Sequence, residues 1–210
     1  GDFAYVSQIA NGIVCAVGDC TGHGIPGALM SVLAISLLND IFSDSSDGFT
    51  PAEILENLRE RIIATLSNSL ILRDGLDICM FYKKFDDHKI VYSGANTPLY
   101  ICRNSQTICL KPTRCPIGLY PVQSRFENIE FDILKDDMLY LSSDGYQDQF
   151  GISENRKYSQ KDFMDLLAKI SPEPVEKQQD ELINNLATWR GSRKQTDDIT
   201  VFGIRMEDIF

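Results

Sequence analysis

Apolar and polar residues along the chain recur with two different periods, and the switches between those periods set the expected elements. Residues 3–9 and 12–18 read as two short strands around Asn11-Gly12, a strong hairpin signal because both residues tolerate the positive φ of a tight turn. After a glycine-rich turn, residues 25–42 are apolar on nearly every side, which predicts a helix buried over most of its circumference. A second helix is expected over 51–69: Thr50 is placed to cap it, Pro51 to begin it and Glu53 to complete a capping box. From 76 to 142 the pattern is that of strands, expected at 76–85, 88–94, 98–103, 106–111, 126–133 and 137–142. Asp86-Asp87, Asn104-Ser105 and Lys135-Asp136 supply turns between them, so this region reads as a meander of antiparallel hairpins. Helices follow at about 159–170, opened by Ser159, and at about 173–188, and a strand over 199–206 closes the chain. The least patterned stretches, 43–49, 112–125 and 146–158, read as loops.

Runs of strands segregated from runs of helices argue for an α+β domain of two antiparallel sheets stacked face to face with helices outside. The length of 210 residues suits one such domain. A strand-like segment begins at once from Gly1, so the expectation is a domain excised from a longer, sensor-containing protein and lacking its first strand.

Composition narrows the function classes. A net charge of -10 repels nucleic acid and anionic lipid, which argues against either as a partner. Hydrophobic residues make up 43% of the chain, yet no uninterrupted apolar run approaches the roughly 20 residues of a bilayer span, so no membrane contact is expected. Six cysteines occur without a Cys-x-x-Cys pair and mostly within strand-like runs, and with two histidines they read as reduced, buried thiols and not a zinc site. Together these point to the cytoplasm, as a free domain or as the cytoplasmic part of a membrane-anchored sensor.

Four aspartates share one local setting, the end or edge of a strand-like run beside glycine or a second acid: Asp2, Asp19, Asp144 and Asp197. Each has a plain structural reading. Asp144-Gly145 alone is a common turn, and Asp197-Asp198 reads equally as a cap or a solvated pair. Gathered at one sheet edge, however, four carboxylates raise one another's pKa and cannot all ionise without cations. Hard oxygen donors in this number suit Mg²⁺ or Mn²⁺, and a pair of such ions activates water and stabilises in-line displacement at phosphorus.

The order and flanks of these motifs resemble the SpoIIE/RsbU-type serine/threonine phosphatases of the protein phosphatase 2C-like superfamily. The resemblance runs through Gly1-Asp2-Phe3, Gly18-Asp19-Cys20-Thr21-Gly22-His23-Gly24, Asp74-Gly75-Leu76-Asp77 and Ser93-Gly94-Ala95-Asn96-Thr97-Pro98. It continues through Pro116-Ile117-Gly118-Leu119, Ser143-Asp144-Gly145 and Asp197-Asp198-Ile199-Thr200. It implies an αββα sandwich with two divalent cations, Mn²⁺ or Mg²⁺, between the sheets. Asp19 resembles the carboxylate that bridges both ions, the Cys20 carbonyl a further ligand, Asp144 and Asp197 ligands of one ion, and Asp2 a ligand or water-mediated contact of the other. Catalytic roles attach to Asp19, Asp144 and Asp197, with Asp198, Asp77 and His23 as secondary candidates. His23, between glycines at a helix entry, reads first as a helix-start residue, and Asp77 equally as a turn or cap.

The reaction so implied is direct attack of a metal-bridging hydroxide on phosphoserine or phosphothreonine of a regulatory protein, such as an anti-sigma-factor antagonist. An upstream sensor or receiver domain is the implied partner in the full-length chain. No arginine adjoins the aspartate motifs as a phosphate clamp; Arg73, Arg114, Arg125, Arg190 and Arg193 are candidates by position alone. A catalytically silent module that keeps the fold and binds a partner is the alternative, against which all four aspartates are intact. A nucleotide-binding phosphohydrolase lacks its phosphate loop, since Gly22-His23-Gly24 has no accompanying lysine.

Overall fold

The structure, a computed structural model, describes residues 1–9, 11–22, 24–44, 50–66, 75–120 and 123–209. Strands β1 (Asp2–Ile9) and β2 (Gly12–Cys20) pair antiparallel and lead into helices α1 (Ile25–Asp44) and α2 (Pro51–Leu66). Strands β3 (Leu76–Lys84), β4 (Lys89–Ala95), β5 (Leu99–Arg103), β6 (Gln106–Leu110), β7 (Ile129–Asp132) and β8 (Met138–Ser142) follow. A short helix α3 (Gly145–Asp148), helices α4 (Gln160–Ile170) and α5 (Val175–Arg190), strand β9 (Val201–Arg205) and a 3-10 turn at Met206–Ile209 complete the chain.

Two sheets result, one ordered β1-β2-β3-β4-β7 and the other β6-β5-β8-β9, with every named strand pair antiparallel. They are stacked on a dry layer to which Cys15, Val17, Cys79 and Phe81 contribute from the first sheet and Leu99, Ile101, Leu139 and Leu141 from the second. The opposite face of the first sheet, with Val14, Ala16, Ile78 and Met80, packs under Ala34, Leu38 and Ile41 of α1 and Leu55 and Leu58 of α2. The opposite face of the second, with Tyr100, Cys102, Met138 and Tyr140, packs under Phe163 and Leu167 of α4. This is the expected α+β sandwich of two antiparallel sheets between helices.

Several expectations change. The strand run is not one meander: β4 and β5 are consecutive yet lie in different sheets, as do β7 and β8. The strand expected over 126–133 forms only over Ile129–Asp132, and the loop expected at 146–158 contains most of α3. The final stretch of the helix expected to 69 falls on residues outside those described. The capping box at α2 holds, with the Glu53 carboxylate accepting from Thr50 N at 2.9 Å, and Ser159, expected to open α4, makes a second one with Asp162. Over Ile25–Ser43, α1 is long and apolar enough to cross a bilayer, with a mean hydropathy of 1.7. Here one face is fully buried through Ala34, Leu38 and Ile41 while Ile25, Leu29 and Val32 are exposed.

Candidate functional site

The register of the first sheet sets Asp2 opposite Asp19 and Asp19 opposite Asp77. Paired residues project from the same face, and here it is the inter-sheet face, since Val17 and Cys79, two residues along the same strands, belong to the dry layer. Three carboxylates therefore form a row across three neighbouring strands at the open end of the sandwich. The row ends there because β2 leaves the sheet at Cys20. Gly22 and Gly24 then take φ of 92° and 68°, a conformation costly for other residues, and carry the chain into α1. Thr21 ties this turn to the start of β3, donating from its N to Gly75 O at 2.9 Å and accepting from Gly75 N at 2.8 Å.

The second sheet brings Asp144 to the same end, one residue past Ser143, where β8 turns into α3. Ser143 joins the sheets: its hydroxyl donates to Asp2 Oδ2 at 2.6 Å and accepts from Thr200 N at 3.0 Å. Gly145 lies so close under Asp198 that a Cβ there would overlap the Asp198 carbonyl oxygen. Asp197 sits on the irregular segment between α5 and β9, which the fully buried Gln149 holds. Gln149 Oε1 accepts from Thr196 N, and its Nε2 donates to Lys194 O, each at 3.2 Å.

Asp19, Asp77, Asp144, Asp197 and Asp198, with Cys20, Thr21, Gly22, Gln195 and Thr196, line one cleft of 460 Å³. Burial, reinforced by the facing charges of Asp2, Asp144 and Asp197, pushes the Asp19 carboxyl up to about 8. Burial raises Asp77 to about 6 against the opposing pull of the Asn96 amide, which donates to its Oδ1 at 2.9 Å. Asp144 is also raised, by burial and then by Asp148 and Asp197. A carboxylate cluster that must hold protons to persist is one that cations would relieve.

Among the described residues no three acidic, thiol or imidazole groups close around a single ion as a tight cage. Spread carboxylates around a roomy cleft fit hydrated Mg²⁺ or Mn²⁺, which keep several waters and take one or two carboxylates each. The donor set thus fits hydrated divalent cations and not a closed zinc site.

Of the residues singled out in sequence, Asp2, Asp19, Asp144 and Asp197 come together. Cys20 lines the cleft, but its side chain belongs to the apolar layer under the helices, leaving its main chain as the part open to a ligand. Asp198 is at the rim, its side chain 54% exposed. Asp77 is a full member of the row. His23 and Arg73 lie outside the described residues, and among the described residues no arginine lines the cleft. Sequence reasoning missed Ser143 and Gln149; both adjoin the Asp144 motif, but a neutral side chain gives no signal until its distant partners are known.

Residues 10–207 match the family model described as Stage II sporulation protein E (SpoIIE). Among solved structures, the SiaA-PP2C domain of Pseudomonas aeruginosa superposes with a TM-score of 0.89 at 29% identity, over 97% of this chain and 80% of that one. The PP2C phosphatase domain of SpoIIE from Bacillus subtilis, solved with a fragment of its regulatory domain, superposes with a TM-score of 0.73 at 20% identity, over 97% of this chain and 56% of that one. RsbX in complex with magnesium has the same fold at a TM-score of 0.64 and 14% identity, over 96% of this chain and 85% of that one. None of the curated proteins matches the chain in sequence.

Proposed function

The chain belongs to the SpoIIE family of PP2C-type phosphatase domains, and on that premise we propose that it is a metal-dependent protein serine/threonine phosphatase. The observation that carries this reading is the convergence of Asp19 and Asp77 from one sheet with Asp144 and Asp197 on a single cleft, with Asp2 paired beside Asp19. Asp19, central in the row, is the carboxylate suited to serve two cations at once. Asp144 and Asp197 would complete one ion's shell and Asp2, held by Ser143, would serve the other; the magnesium in RsbX supports the choice of ion. When bound, such ions supply Lewis acidity toward phosphoryl oxygens and lower the pKa of water, so the chain needs no side-chain nucleophile.

The chain's own task is then to hold five carboxylates at fixed separations. Rigid strand pairing does this for Asp2, Asp19 and Asp77, the Gly145–Asp198 approach for Asp144, and the Gln149 amide for the Asp197 segment. The substrate in this reading is a phosphoserine or phosphothreonine on a cytoplasmic regulatory protein, with an upstream sensor or receiver domain governing activity. The acidic chain, at -10, supports a protein substrate over nucleic acid.

The test is phosphate release from 4-nitrophenyl phosphate and a phosphoserine peptide with Mn²⁺, with Mg²⁺ and with excess chelator. Turnover that needs the cation and is lost in Asp19→Asn supports the reading. Turnover that survives chelation refutes it, and cation binding without turnover points to the silent module.

A further inference from the structure

A second cavity, of 230 Å³, shares Asp19, Asp77 and Asp144 with the cleft but is walled elsewhere by uncharged groups. Tyr100 on β5, Gln147 on α3 and Gln160 at the start of α4 form part of that wall. Tyr100 Oη accepts from Nε2 of Gln147 at 3.1 Å and from Nε2 of Gln160 at 3.2 Å. Both its lone pairs are thereby engaged, which leaves its proton free to donate. Neither glutamine Oε1 receives a bond among the described residues, so two acceptors stand beside that donor. Ser142 lines the same cavity, and its buried hydroxyl has no partner among the described residues. Buried polar groups are normally satisfied, so the unmatched Ser142 hydroxyl and the proton of the buried Tyr100, beside a reactive cleft, mark a place built for a ligand.

We infer that this cavity is a subsite for the residue next to the phosphorylated one, selecting a short uncharged side chain that both donates and accepts: Ser, Thr, Asn or Gln. The inference rests on the phosphatase reading. An apolar side chain would leave the Tyr100 proton and the Ser142 hydroxyl unpaired. A lysine is drawn to the carboxylates of Asp19, Asp77 and Asp144 but offers no acceptor to the Tyr100 proton, so its peptide separates charge attraction from paired donation and acceptance. An acidic side chain meets Asp77, which the Asn96 amide, on a residue at φ 57°, holds toward the same space.

The experiment uses the full chain with Mn²⁺ and phosphoserine peptides that differ only in carrying Asn, Leu, Asp or Lys at either neighbouring position. The Asn peptide is expected to exceed the Leu and Asp peptides about tenfold in kcat/KM at one of the two positions. In Gln160→Leu and in Tyr100→Phe that ratio falls toward one. Because both peptides are compared on the same enzyme preparation, the ratio is independent of the folded or metal-loaded fraction. A wild-type ratio near one at both positions, or a ratio that persists in both variants, overturns the subsite. 4-Nitrophenyl phosphate separates the failures: its turnover without peptide selectivity sinks the subsite alone, whereas no turnover of any substrate sinks the phosphatase reading and the subsite with it.

Discussion

Replacing Asp19 by Asn should move stability in opposite directions with and without metal. In the unfolded chain Asp19 ionises near 3.8, whereas in the metal-free fold burial and its acidic neighbours keep it protonated up to about 8. Between those values unfolding releases a proton, so the wild-type protein loses stability as pH rises, and below 3.8 the group contributes no pH dependence. At about 1.4 kcal/mol per pH unit the displacement has a ceiling of about 6 kcal/mol, and solvent screening in an open cleft leaves about 2–3 kcal/mol. The asparagine is isosteric with the protonated acid and does not titrate. In chelator the two proteins should therefore melt close together near pH 4, while at pH 8.5 the variant melts about 5–10 °C higher. Mn²⁺ at 1,000 times Kd reverses the order, because it adds about 4.1 kcal/mol to the wild type and little to a variant without its central ligand. Thermal unfolding followed by circular dichroism from pH 4 to 9, with EDTA or Mn²⁺, reads both effects. A variant that melts below wild type in EDTA at pH 8.5 would refute the claim that Asp19 is held in a repulsive row.

Three further outcomes follow from the same geometry. Gly145→Ala forces Asp144 and Asp198 apart, costing about 1–3 kcal/mol of stability and at least about tenfold in Mn²⁺ affinity by titration calorimetry; wild-type affinity would show that the close approach is dispensable. Gln149→Leu leaves Thr196 N and Lys194 O without their side-chain partner, so about 1–3 kcal/mol should be lost and Mn²⁺ should bind about tenfold more weakly, an idea abandoned if calorimetry returns an unchanged Kd. Asp77→Asn removes one charge of the row and should raise metal-free stability by about 1 kcal/mol at pH 8 while weakening Mn²⁺ several-fold; unchanged binding would remove Asp77 from the metal centre.

Composition, turn residues and caps alone located most elements, because those signals are local: Thr50-Pro51 opens α2, Ser159 opens α4, and β-branched and aromatic runs between turn residues mark β3 through β6. The strand-end aspartates were legible for the same reason, since Asp19 and Asp144 stand beside glycines where apolar runs stop. What local pattern could not decide was which sheet each strand joins. Strands β4 and β5 are buried on both faces, so their sequence does not say which face meets which partner, and only tertiary packing sends them to opposite sheets. Register is equally non-local. Asp77 has an ordinary turn-like context, and only its pairing opposite Asp19, 58 positions earlier in the chain, makes it part of the row. The chain by itself specified the carboxylates and the strands that carry them. The fold decided how far apart they stand and which neutral side chains hold them there, because hydrogen-bond partners such as Gln149 with Thr196 exist only once distant segments have met.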